Sequence, residues 1–290
     1  MTDVSAVERG LLERFVISAH DIPTRDKIPV IRELMVAEGK GLALDIGSGT
    51  GYTTSCVFGD RQTVCVDLHA PNLHQYLSRL ASIPNARQPL CVVAQAAALP
   101  FKVGVFRFIL CSEVIEHLEN DDAAVRELAR VLSSDGRAVI TVPYTGMGFT
   151  SFLELCGIKT VHDFPGPEYH VRPGYDEDSL RRLLTRHGLE IIHHTHYLRF
   201  FTRLATDVQN LGHLLYQRVI HRRRSFTWSE AEAAEGSLAF RLYTCVFPVL
   251  WAFSRIDRLL RQMRGFGLIV SVSNRSGGGT AQGIDSDKRR

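Results

Sequence analysis

Leu42-Ala43-Leu44-Asp45-Ile46 is a short apolar run that passes into Gly47-Ser48-Gly49-Thr50-Gly51, and a helix-compatible stretch opens at Tyr52. A strand feeding a glycine-rich turn and then a helix is the opening unit of a parallel sheet. Glycines at such a turn let the backbone bend tightly and approach a ligand closely. The start of the helix adds N–H groups and a partial positive charge. The next apolar run, Thr63–Asp67 (TVCVD), ends in a carboxylate that can accept hydrogen bonds from both hydroxyls of a ribose. Together the two runs predict a nucleoside-containing ligand at the switch point of the sheet.

Outward from this unit the pattern repeats. Short runs read as strands at Leu90–Val93, Val105–Cys111 and Gly136–Val142, with helices over Asn72–Ala81 and Asp121–Leu132 between them. In the last of these helices Ala124, Val125, Leu128 and Val131 recur at helical spacing. Near-continuous apolar strands separated by helices predict a doubly wound α/β fold with a mostly parallel sheet. A helix over Glu177–His187, a strand over Leu189–Tyr197 and a late strand over Leu268–Ser273 complete it. The expected organisation is two N-terminal helices in 1–38, with Leu11, Leu12, Phe15 and Val16 as one stripe. A core follows over 39–198, then a helical insert over 199–266, the last core strand in 267–275, and a disordered tail over 276–290.

Composition narrows the class. Of 290 residues, 45% are hydrophobic and 22% charged, which excludes a disordered chain and a multi-span membrane protein. The formal charge of +3 hides an asymmetry: residues 1–198 carry a net −5 and residues 199–290 a net +8. The six cysteines form no CxxC pair, so they read as reduced residues of a cytoplasmic protein. The N-terminus lacks the apolar core of a secretory signal.

The glycine spacing is GxGxG, and Tyr52 stands where a dinucleotide fingerprint has its third glycine. Asp45, inside the strand, would repel a pyrophosphate but suits the ammonium of an amino acid. A zwitterionic nucleoside is therefore favoured over NAD. Here the chain resembles class I S-adenosylmethionine-dependent methyltransferases of the type 11 group, which includes ubiquinone and menaquinone biosynthesis enzymes. The resemblance rests on LDIGSGTGYTT, VCVDLH, AAALPF, FILCSEVIEHL and LARVLSSDGRAVITVP, in that order, over roughly residues 40–198 and again at Leu268–Ser273.

The resemblance implies a seven-stranded, Rossmann-like sheet and S-adenosyl-L-methionine as cofactor. It places Gly47, Ser48, Gly49, Thr50 and Gly51 under the methionine moiety and Asp45 near its amino group. Asp67 would take the ribose hydroxyls, with Leu68 and Ala96 beside the adenine. Gln95 stands where the family has an Asp that holds the adenine amine, and Ser112 and Glu113 join the cofactor-binding set. Glu116 and His117 are the candidate catalytic residues, since an imidazole near its free pKa suits a general base. Glu113, Glu116 and His117 match the ExxEH spacing with which some related quinone O-methyltransferases hold a divalent metal. The EH pair is also common without one, and no metal is assigned. His170–Tyr175 is read as a turn that caps the late helix, and Phe164–Tyr169, flanked by His162, as a candidate lid.

The expected reaction is methyl transfer to an oxygen or carbon of a small, apolar acceptor of quinone, lipid-linked or natural-product type. The alternatives are a non-catalytic scaffold of the same fold and an NAD-dependent oxidoreductase. No nucleic-acid partner is expected, because Cys111-Ser112-Glu113-Val114 occupies the place of the Asn/Asp-Pro-Pro-aromatic motif of base methylation. In the insert, Leu242–Phe253 is uncharged but too short to span a bilayer. It reads as a cap over the substrate pocket, as a homo-oligomer interface, or as a peripheral membrane contact through 218–260. In the last case Trp228 and Trp251 are the expected anchors.

Overall fold

The computed structural model describes residues 4–35, 40–149, 151–158, 170–216, 238–260 and 262–275. Seven strands form one sheet: β1 (Ala43–Ile46), β2 (Thr63–Asp67), β3 (Leu90–Val93), β4 (Phe106–Ser112), β5 (Leu132–Pro143), β6 (Leu189–Tyr197) and β7 (Gly267–Asn274). Their order is β3-β2-β1-β4-β5-β7-β6. The first five are parallel, and β7 runs antiparallel to both β5 and β6. Every residue of β1 and β2 is buried, as expected of strands covered by helices on both faces. The order reverses between β1 and β4, where Ile46 pairs with Cys111, so a crevice opens at the carboxyl ends of these two strands.

The N-terminal segment divides into α1 (Val4–Arg14), α2 (Val16–Ala19) and α3 (Ile22–Met35). Leu11 and Phe15 are buried, but Leu12 faces solvent, so the stripe is narrower than the sequence suggests. The core helices are α4 (Tyr52–Phe58), α5 (Ala70–Ala81), α6 (Asp121–Val131), α7 (Phe152–Leu155) and α8 (Glu177–Arg186). Asn120 caps α6 by accepting from the Ala123 amide at 2.9 Å, and Asp121 and Asp122 suit the positive end of its dipole. Ala124, Val125, Leu128 and Val131 of α6 are all buried against the sheet. Strand β5 begins four residues earlier than its apolar run, because Leu132 pairs with Phe106 across a shift in register. Asn274 of β7 fixes this start by donating from Nδ2 to the Leu132 carbonyl.

Between β6 and β7 lie α9 (Phe200–Tyr216), α10 (Leu238–Ser254) and a 3-10 segment, Arg255–Leu260. Three carboxylates, of which Asp207 and Asp257 are buried, hold this insert together and to its neighbours. Asp26 of α3 accepts from the Leu198 amide at 2.7 Å. Asp257 accepts from the amides of Phe201 and Thr202, which satisfies the first turn of α9. Asp207 of α9 accepts from the Phe152 amide at 2.8 Å, tying the insert to the segment that follows β5. The basic knot Arg218–Arg224, Trp228, His162, Phe164–Tyr169 and the tail 276–290 lie outside the described residues.

Candidate active site

The glycine turn is built almost wholly from backbone. The amides of Gly47 and Ser48 both donate to the Val66 carbonyl, and that of Gly51 donates to the Ser48 carbonyl. Gly51 has φ of 80°, and a Cβ there would lie 2.2 Å from the Tyr76 ring, so the position tolerates only glycine. At Gly49, φ is 53° and a Cβ would meet no atom within 4 Å. The turn is therefore tight on its inner side and open on its outer side. Ser48 Oγ is buried there with no hydrogen-bond partner. Thr50 is half-buried beside it.

Asp67 ties this turn to the next strand. Its Oδ2 accepts from the Gly49 amide at 2.8 Å and its Oδ1 from the His69 amide at 2.8 Å, with Asn72 Nδ2 at 3.5 Å. A carboxylate has about four acceptor positions, so it can receive these bonds and still face a diol. Leu68 beside it is 61% exposed, a large apolar side chain with no cover among the described residues. At the end of β3, two residues beyond the Asp67–Val93 pair, Gln95 is exposed and Ala96 half-buried in a turn. Asp45 lies beneath the loop at 2% exposure, with Oδ2 accepting from Thr54 Oγ1 at 2.5 Å. Burial raises its pKa to about 7, opposed by the Thr54 bond and assisted by the nearby charge of Asp67.

The end of β4 is built differently. Glu113 has φ of 55°, a left-handed conformation uncommon for a side-chain-bearing residue. It is held there from three sides. Its Oε1 accepts from Thr141 Oγ1 of β5 at 2.6 Å and from Tyr197 OH of β6 at 2.8 Å, while Lys27 Nζ of α3 stands 4.0 Å away. Burial pushes its pKa up, but the Lys27 charge and the two hydroxyl bonds outweigh that and hold it below the usual carboxylate range. Ser112 Oγ shares the network through Thr141, at 3.0 Å. These contacts turn Glu113 toward β5, β6 and α3. Its side chain supports the floor of the crevice, where sequence alone groups it with the glycine turn.

Glu116 and His117 occupy a 3-10 turn, Ile115–His117. Glu116 is fully buried and neither carboxylate oxygen has a hydrogen-bond partner. Burial first, and the charge of Glu113 second, raise its pKa well above the usual carboxylate range. His117 Nε2 lies 3.9 Å from its Oε1. Sequence reasoning missed the third member. His170 packs edge-on against His117 with ring centroids 4.7 Å apart, and one ligand atom from each of Glu116, His117 and His170 falls within 4.8 Å of the others.

The reason is long-range. The amides of Val171 and Arg172 donate to the Glu116 carbonyl, and the Arg172 guanidinium donates to the carbonyls of Ile115, Leu118 and Glu119. Arg172 also pairs with Asp121. The cap of α8 is Asp176, in a capping box with Ser179, so His170 is released from the capping role its position suggested. The trio could share a proton, and its donor set could also hold a cation.

The glycine turn, Asp67 and the Glu116–His117–His170 cluster follow the carboxyl ends of β1, β2 and β4, the place where open α/β sheets take ligands. A family model described as "Methyltransferase domain" matches residues 44–140. The chain is 30% identical over 149 residues to a malonyl-[acyl-carrier protein] O-methyltransferase of Halorhodospira halophila, covering 50% of this chain and 44% of that one. It is 29% identical over 169 residues to the enzyme of the same name from Geobacter sulfurreducens, covering 56% and 61%.

Residues 44–140 thus match a methyltransferase domain, and the chain is similar to the type 11 group of class I methyltransferases.

The chain spans 44% and 61% of the length of those two relatives. Among solved structures, the [4+2]-cyclase SpnF shares the fold with a TM-score of 0.54 at 17% identity, over 85% of this chain and 80% of that one. The family's methyl donor, S-adenosyl-L-methionine, fits what the residues offer. The orphaned Ser48 hydroxyl and the open outer side of Gly49 leave room for the amino-acid end. Asp67 and the exposed Leu68 offer the polar and apolar halves of a nucleoside site.

Proposed function

We propose that the protein transfers the methyl group of S-adenosyl-L-methionine to an oxygen or carbon of a small apolar acceptor, of quinone, lipid-linked or natural-product type. The observation that carries the reading is the Gly49–Asp67 bond at 2.8 Å, which presents the carboxylate of β2 to the open side of the glycine turn. S-adenosyl-L-methionine, when bound, supplies an activated methyl on a sulfonium. Asp45 and Ser48 then face its amino-acid end, Asp67 its ribose, and Leu68, Gln95 and Ala96 its base.

The chain's own contribution is positioning and exclusion of water. For a hydroxyl acceptor, His117 takes the proton as the oxygen gains the methyl, and His170 orients the imidazole. Glu116 is buried beside it, and burial disfavours a negative charge there. The cap formed by α9 and α10 closes the side beyond β5. There Phe149, Phe152, Phe200 and Phe266 stack edge-on or tilted on one another, with centroids 5.2 to 5.7 Å apart, and supply apolar surface suited to the acceptor.

Calorimetric titration of S-adenosyl-L-methionine and its demethylated product into wild type and Asp67→Ala tests the reading. Losing hydrogen bonds to a charged acceptor costs about 1.5–3 kcal/mol, or roughly ten- to a hundredfold in affinity. Absence of binding to the wild type would remove the catalytic reading.

A further inference from the structure

Helix α10 and the 3-10 segment after it present two unlike faces. Tyr243, Phe247, Leu250, Trp251 and Phe253 turn inward, packed around Ile22 of α3 and Ala205 of α9. Tyr243 OH donates to the His20 carbonyl, and Arg25 stands over both the Phe247 and Trp251 rings. Trp251 is half-buried, with its ring between Arg25 and Arg255.

The other face is apolar and open. Val249 is 68% exposed, Ile256 38%, Leu259 85% and Met263 49%, and they follow one another at steps of three, four and seven residues. The steps of seven and three place Val249, Ile256 and Leu259 on one side of the helix and the 3-10 segment, and Met263 follows in the bend beyond. Cys245 and Ala252 fill the intervening places and are exposed as well. Apolar side chains scattered singly need no explanation, but a contiguous stripe does.

The charges around the stripe say what it fits. Residues 238–266 contain five arginines and one acid, Asp257. That acid is buried, with both oxygens engaged by the amides that open α9. Arg241 and Arg264 are exposed beyond the two ends of the stripe, and Arg258 is exposed between Ile256 and Leu259. An apolar strip with exposed arginines, and with no outward carboxylate among the described residues of 238–266, complements a surface with an apolar interior and an anionic face. No described helix is long and apolar enough to cross a membrane, which agrees with a segment that lies in the interface plane.

We propose that the face formed by Val249, Ile256, Leu259 and Met263, with Arg241, Arg258 and Arg264, seats this protein on an anionic lipid surface. The inference is independent of the methyl-transfer reading, since none of these residues belongs to the crevice.

The test is co-sedimentation of the full chain with phosphatidylcholine vesicles, with and without phosphatidylglycerol, run beside sedimentation velocity in the absence of lipid. Wild type is expected to bind the anionic vesicles, more weakly as salt rises. The double variant Val249→Glu/Leu259→Glu is expected to lose at least tenfold in partitioning. Arg258→Ala and Arg264→Ala are each expected to lose about fivefold, the equivalent of about 1 kcal/mol per basic residue near such a surface. Unchanged S-adenosyl-L-methionine affinity in the same variants shows that they are folded.

Failure of wild type to bind anionic vesicles would overturn the proposal, as would equal binding by the double variant. A lipid-free dimer that the double variant converts to monomer would also overturn it, by naming a second copy of the chain as the occupant.

Discussion

The two halves of the crevice are held by different forces. On the donor side, backbone amides of Gly47, Ser48, Gly49 and Gly51 make the shape, and one side chain, Asp67, locks it. On the acceptor side, Lys27, Thr141, Tyr197, His170 and Arg172 converge from separate elements on a single turn after β4. The first arrangement is local, rigid and nearly independent of the rest of the chain. The second is a network of buried charge, in which the state of each group depends on its neighbours. A bound nucleoside suits the first, because it needs a fixed shape. Proton transfer to or from varied acceptors suits the second, because it needs groups whose pKa values are set apart.

The largest expected break falls on the donor side. Gly51→Val combines a left-handed backbone with a collision against Tyr76, and is expected to cost about 2–4 kcal/mol of stability and all measurable donor binding. Thermal unfolding and calorimetry check both. On the acceptor side, His117→Ala is expected to lower kcat about a hundredfold with donor affinity unchanged. A parallel loss of affinity would merge the two halves. His170→Ala is expected to change kcat less than His117→Ala and to shift its pH profile, since its role is to orient the imidazole.

Tyr197→Phe removes a hydrogen bond to a charged carboxylate, at about 1.5 kcal/mol, and is expected to lower the Tm by about 3–6 °C in a chain of this size. Glu113 is held below its ordinary pKa, so its share of stability is present above the ordinary carboxylate range and is lost as pH falls through the folded value. The variant should therefore lose less stability than wild type on acidification.

The smallest effect concerns Asp45, which titrates at about 7 without ligand. Its raised pKa favours the unliganded fold at low pH, and that stability is lost as pH rises toward 7. A bound ammonium favours the ionised carboxyl, so donor affinity is expected to rise by up to about tenfold between pH 6 and 8. The slope should vanish in Asp45→Asn.

The contrast between the halves also explains how much could be read from the chain. Leu42–Gly51 and Thr63–Asp67 carry their own instructions, because a buried parallel strand needs an apolar run and a left-handed turn needs glycine. They opened the reading of the fold class, and the resemblance to methyltransferases needed five motifs in order over roughly residues 40–198. Glu116 and His117 were legible as candidates from their position after β4. His170 was visible only as one of two histidines flanking an aromatic segment. Its contact with His117 depends on Arg172 reaching three carbonyls more than fifty positions upstream. Lys27 and Tyr197 gave no signal at all, since nothing local marks a lysine in α3 or a tyrosine closing β6 as partners of Glu113.

In the insert, composition alone showed an apolar run beside arginines, and left open which side faced out. The structure decided it by turning Trp251 and Phe247 onto α3 and leaving Val249 and Leu259 in solvent. By itself, then, the sequence determined what depends on neighbours along the chain: strands, glycine turn and the donor they imply. Tertiary structure alone decided which distant groups meet, which way the pKa of each buried carboxyl moves and which face of a helix is left uncovered. Those properties depend on burial and on partners brought from elsewhere in the chain, and the energy of an ionised group is set by what surrounds it.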